Sequence, residues 1–164
     1  MINVLDKEIE KIEKKIQELI KADEELKQTY ELITTVPGIG MQNALCLLIF
    51  TNNFKRFNLN PRKIACYYGV APFGKDSGTS VHADPHVHYM ANKMLKSMLT
   101  QAALASVNFC PLIKDYYNRL INRGKKKQVV LNNVKNKLIH IITAMVKNNQ
   151  PFNPEYINIH KTAA

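Results

Sequence analysis

Ile2, Ile9, Ile16, Asp23 and Tyr30 recur every seven residues, and Leu5, Ile12, Leu19, Leu26 and Ile33 recur with the same period. Placed at heptad positions a and d, the two series make a 3-4 stripe whose only polar break is Asp23. Neither proline nor glycine precedes Pro37, so the spacing predicts one long helix over 1–33. Its seam is narrower than a globular face needs, which favours a partner helix. Isoleucine at a with leucine at d in the first and third heptads favours two strands, hence a homodimer. A parallel pair would set Glu8 against Glu13, so the orientation stays open. The alternative is the same helix laid on its own body.

Charge divides the chain at the same place. Residues 1–32 hold six lysines and nine acids, net −3, and the remainder holds 17 basic and four acidic residues, net +13. A field of one sign suits a polyanion, and nucleic acid is the commonest. General solubility would mix both signs on one surface. The longest apolar run, Ala44 to Phe50, is far too short for a membrane span. The N-terminus shows no basic and apolar leader. Three scattered cysteines (46, 66 and 110) fit a reducing cytoplasm better than a disulfide scaffold or a zinc site.

Beyond the stripe, Val36-Pro37-Gly38-Ile39-Gly40 leads into an apolar helix over 41–50. Proline ends the first helix and the glycines permit a tight turn with bare amides. Helix, Pro-Gly-Ile-Gly, helix is the pattern of a helix-hairpin-helix, in which Gly38, Ile39 and Gly40 would face a DNA phosphate. By itself such a turn is equally a plain αα-hairpin; the charge of the body favours DNA. Residues 52–60 read as a polar turn, and a short helix over 62–68 ends at Gly69. Residues 70–85 read as irregular. Helices follow over 88–108, from Pro111 to Gly124, and over 128–147. The expected fold is all-α: a coiled-coil helix (1–33), a helical domain with a helix-hairpin-helix and one long loop (34–152), and a tail (153–164).

The order of these pieces resembles the C-terminal domain of DEDD insertion-sequence transposases, the family of the Piv DNA invertases and the bridge-RNA-guided recombinases. The resemblance lies in Val36 to Gly40, Arg56-Phe57, Tyr67-Tyr68-Gly69-Val70-Ala71-Pro72, Ser77-Gly78, Ala91-Asn92-Lys93-Met94-Leu95-Lys96, Gln101-Ala102-Ala103, Tyr116-Tyr117 and Ala144-Met145. It covers about residues 30–152. The family has Gly-Asn-x-x-Leu-Arg where this chain has Ala91-Asn92 and Leu95-Lys96, so a point charge replaces the arginine fork.

The resemblance implies a recombinase module that binds DNA and supplies a serine nucleophile, Ser77 by motif match, with Ser80 the runner-up. Read without the family, Ser77-Gly78 is a turn. Lys96, Arg119, Arg123, Lys125, Lys126 and Lys127 are expected at DNA phosphates, and a guide RNA is a further partner that the resemblance admits. It also implies a RuvC-like domain with four acidic metal ligands ahead of the coil. This sequence begins at the coil, so it is expected to be the C-terminal part of a transposase, inactive by itself. The divalent metal, expected to be magnesium, would belong to the missing domain, with no cofactor in this chain.

His82, Asp84, His86 and His88 suggest a metal cluster, but Pro85 interrupts any helical pair among them, and we read a loop near phosphate and no metal site. Tyr67, Tyr68, Tyr116 and Tyr117 are expected in the core rather than as stacking platforms. The expected surroundings are the cytoplasm and, through DNA, the nucleoid. The rival readings are a helix-hairpin-helix module that binds nucleic acid without chemistry, and an oligomerisation protein with a basic protein-binding face.

Overall fold

A computed structural model describes residues 2–71, 73–77, 81–86 and 91–155, with residues 2 and 3 and the two strand segments described by backbone alone. In chain order these form α1 (Ile2–Ala22), α2 (Glu24–Thr34), α3 (Met41–Thr51), a 3-10 turn (Lys55–Phe57), α4 (Pro61–Tyr67), β1 (Phe73–Ser77), β2 (Val81–His86), α5 (Lys93–Phe109), α6 (Pro111–Asn122) and α7 (Lys127–Asn148). The core of the body is all-α, as its apolar periodicity leads one to expect. Helix α7 packs against α2, α4, α5 and α6. Its Val130, Val134, Leu138, Ile139 and Ile142 meet Ile33, Leu47, Ile64, Leu95, Leu99 and Ile113 in one core.

Local chemistry sets the helix ends. Asn60 caps α4 by accepting the amides of Arg62 and Lys63, and Pro61 occupies the first turn, where its missing N–H costs nothing. Asn92 caps α5 by accepting from the Leu95 amide. Pro111 opens α6, and Gly124 follows it with φ +79, the left-handed conformation that glycine adopts without strain.

Three expectations are corrected. The helix over 1–33 breaks at Asp23, whose backbone is extended (φ −116, ψ 112) and whose carboxylate accepts from the Leu26 amide 3.0 Å away. An N-cap aspartate thus ends the seam that its polarity had only interrupted. A continuous helix would carry Gln17 about 25 Å along its axis from Thr34. Instead the Gln17 amide reaches the sulfur of Met41 at 3.8 Å, so α1 turns back towards the start of α3. Ile33 is fully buried and Tyr30 packs against the core, so the end of the stripe serves the body.

The second correction concerns the long loop. Residues within it form an antiparallel ribbon in which Phe73, Lys75, Asp76 and Ser77 pair with His86, Ala83, His82 and Val81, with an irregularity between Phe73 and Lys75. β1 (Phe-Gly-Lys-Asp-Ser) does not alternate apolar with polar residues. The alternation of β2 rests on Val81, Ala83 and Pro85, the last a residue that argues against a strand, which is why the pattern gives no clear strand signal. The third is the start of α5, which lies at the Asn92 cap and not at His88.

Candidate nucleic-acid interface

The turn between α2 and α3 is built from the inside. The Ser106 hydroxyl of α5 donates to the Pro37 carbonyl at 2.7 Å. Gly38 has φ +92 and passes so near Ser106 that a Cβ would lie 2.4 Å from its amide nitrogen. The Ile39 side chain is in the core, 5% exposed, and its amide donates to the Val36 carbonyl at 3.0 Å. Only Gly40 opens outward. It is exposed, with empty space around its Cα, and it precedes α3 without any side-chain cap. The amides of the first turn of α3 therefore carry the positive end of a helix dipole at the surface.

Ser77 stands at the loop end of the ribbon, paired in register with Val81. Ser80 and His88 lie outside the described residues, and the side chains of Ser77, His82, Asp84 and His86 are not described. Among the described residues no group of three or more His, Cys, Asp or Glu comes together to hold a metal.

The cations fall into different settings. Lys125, Lys126 and Lys127 are exposed at the start of α7. Arg119 lies with its guanidinium carbon 5.6 Å from the Tyr116 ring centroid, and Arg123 is the C-cap of α6. Lys55 is bound to Glu25 at 2.7 Å. Arg56 lies 4.9 Å from the Tyr67 ring centroid and donates to the Phe50 carbonyl at 3.4 Å, which makes the Arg56-Phe57 motif an anchor for the turn after α3. Tyr68 is buried, and Tyr67, Tyr116 and Tyr117 are partly so, packed on the core. Burial pushes the Tyr68 phenol well above its usual range.

Sequence reasoning missed two features. Lys135 is buried on α7, and its ammonium donates to the Thr100 hydroxyl at 3.2 Å. Burial first, and then the charge of Lys96, lower its pKa. Its position, four residues from both Leu131 and Ile139 on the apolar stripe, was the available signal. Helices α6 and α7 and residues 150–153 also enclose a cleft of about 630 Å³ whose polar lining includes Asp115, Arg119, Lys137 and His140. Burial, with Lys137 and Arg62 adding to it, lowers the His140 pKa.

Residues 30–118 match the Transposase IS116/IS110/IS902 family. The chain belongs to that transposase family. The match runs from α2 through the glycine turn and the ribbon into α6, so it spans the Ser106 clamp and Ser77. The chain is also 29% identical over 145 residues to the pilin gene-inverting proteins of Moraxella lacunata and Moraxella bovis, covering 88% of itself and 45% of each. It is 32% identical over 116 residues to an uncharacterized 43.6 kDa protein of insertion element IS110 in Streptomyces coelicolor, covering 71% of itself and 28% of that protein. This transposase-family chain thus spans less than half the length of the curated relatives it matches. Among its described residues, no helix is long and apolar enough to cross a membrane.

Proposed function

We propose that the chain is the DNA-binding and recombination module of an insertion-sequence transposase, with Ser77 the nucleophile for strand cleavage and transfer. The observation that carries this reading is the family match over residues 30–118, which includes the glycine turn and the ribbon bearing Ser77. The names of the Moraxella relatives, which describe inversion of a pilin gene, support recombination as the outcome.

In this reading one DNA phosphate meets the uncapped start of α3 beside Gly40, where amides and dipole favour an anion. Further phosphates meet Lys96, Arg119, Arg123 and Lys125 to Lys127. A structured guide RNA offers the same phosphate chemistry and is the second nucleic acid such a surface would take. The Ser77 oxygen attacks phosphorus as the bond to one DNA strand breaks. The serine proton ends on the departing sugar oxygen, which leaves as a hydroxyl, and the phosphoserine link keeps the phosphodiester energy for rejoining. A neutral serine needs a base or metal to lose its proton and cations to hold the phosphate. The described residues offer cations but no donor set for a divalent metal. Magnesium would be held by the acidic ligands of a RuvC-like domain. Two copies would join through α1, where Leu5, Ile9, Ile12 and Leu19 are each 54–61% exposed.

The test is a denaturing gel of labelled DNA incubated with this module and a matching RuvC-like domain, in cis or in trans. The expected product is DNA linked covalently to Ser77, abolished by Ser77→Ala and little changed by Ser80→Ala. An active Ser77→Ala protein, or an adduct mapped to Ser80, would remove Ser77 from the mechanism. Cleavage with no adduct would leave water as nucleophile and this chain as a module that only holds DNA.

A further inference from the structure

Lys135 is the only charged side chain that is buried among the described residues, with 6% of its surface exposed. Its surroundings do not neutralise it. One N–H goes to the Thr100 hydroxyl, 3.2 Å away, and that hydroxyl is itself turned to donate to the Lys96 carbonyl at 2.7 Å. No carboxylate among the described residues forms an ion pair with Lys135. The charge that acts on it is a second cation, Lys96. An ammonium taken from water costs several kcal/mol unless it is paired, and a like charge adds to that cost. The methylenes alone do not account for it, since leucine would fill the same stripe without penalty. Lys96 and Thr100 are both half-buried, so the ammonium lies next to two residues that reach the surface.

We propose that Lys135, Lys96 and Thr100 form an anion site that receives one backbone phosphate of DNA. A phosphate there would take up the free N–H donors of Lys135, bridge the two lysines and offset the repulsion between them. It differs from the exposed lysines at 125–127. A contact with a half-desolvated floor has a fixed place, so it would set the register of the duplex on the module. The site rests on the reading of this chain as a DNA-binding module and adds to it a residue, Lys135, that neither the charge distribution nor the family motif singles out.

Two readouts on the full chain test it. Wild type should gain thermal stability in inorganic phosphate over chloride at equal ionic strength, and Lys135→Met should lose that gain. On duplex DNA, Lys135→Met should lower the slope of log affinity against log salt by about 1, and Lys135→Arg should keep it. Lys135→Met should also melt higher than wild type without ligand, because it removes an unpaired buried charge. A merely structural lysine predicts the reverse: a lower melting temperature with slope and phosphate response unchanged. That result would overturn the site while leaving DNA binding in place. Should wild type fail to bind DNA at all, the module reading falls, and the phosphate response alone decides the site. If Lys135→Met does not fold, Lys96→Met at the half-buried rim carries the same two measurements.

Discussion

Gly38 lies against the backbone of Ser106 so closely that a Cβ on it would stand 2.4 Å from the Ser106 amide nitrogen and 2.6 Å from its hydroxyl oxygen. The same hydroxyl holds the Pro37 carbonyl. Helix α5 therefore clamps the turn that joins α2 to α3. The two glycines of Pro-Gly-Ile-Gly are unlike: Gly38 is required by packing and by its positive φ, whereas Gly40 has an ordinary extended backbone and open space.

Gly38→Ala should therefore destabilise the fold by about 2–4 kcal/mol, combining left-handed backbone strain with overpacking. Gly40→Ala should cost less than about 1 kcal/mol, since only an N-cap preference is lost. Ser106→Ala should cost about 1 kcal/mol for one hydrogen bond. Urea denaturation at constant slope measures all three. Equal midpoints for the two alanine variants at 38 and 40 would refute the clamp.

The exposed seam of α1 makes a second prediction. Light scattering should give a dimer, and Ile9→Asp with Ile12→Asp should give a monomer whose thermal transition persists, because neither residue belongs to the core of the body. A wild-type monomer at high micromolar concentration would exclude the seam as an interface.

How much of this was legible depended on what kind of signal each element sends. The helices α4, α6 and α7 announced themselves through Pro61, Gly69, Pro111 and Gly124 and through their apolar spacing, which are local signals. The ribbon did not, because its stability comes from pairing between two short strands, of which β1 lacks alternation and β2 carries Pro85. Asp23 was visible as a flaw in the heptads, but its effect as an N-cap depends on α1 turning back to meet Met41, a contact between residues far apart in sequence. The glycine motif was legible as a turn. That Gly38 owes its identity to Ser106 was not, for the same reason. Lys135 is a charge on an apolar stripe, but in a body so rich in lysine its spacing alone does not set it apart.

His140 makes the third prediction, through pH. Its folded pKa lies below the usual 6.5, through burial and then Lys137 and Arg62. Below about 6.5 the unfolded chain therefore binds a proton that the folded chain resists, and stability falls as the pH drops. The contribution is fully present above that value. Comparing wild type with His140→Gln from pH 7.5 to 5, the variant should show the shallower loss. An identical pH slope in both would remove His140 as its source.

The lysines at 125–127 permit the sharpest separation of function from structure. They are exposed, Lys126 is the N-cap of α7 without a side-chain cap, and the first turn of that helix contains no acid. Cations at the positive end of a helix dipole are disfavoured, each by roughly 0.3–1 kcal/mol at low salt. Replacing all three by alanine should therefore leave the chain as stable as before or slightly more so. If they touch DNA, the same variant should bind all duplex sequences more weakly, and the log–log salt slope should fall by about 1 for each lysine in contact. A site that costs stability yet carries affinity is selected for binding. If the slope instead stays at its wild-type value while the melting temperature rises, the three lysines belong to a solvated linker, and the DNA lies on another face.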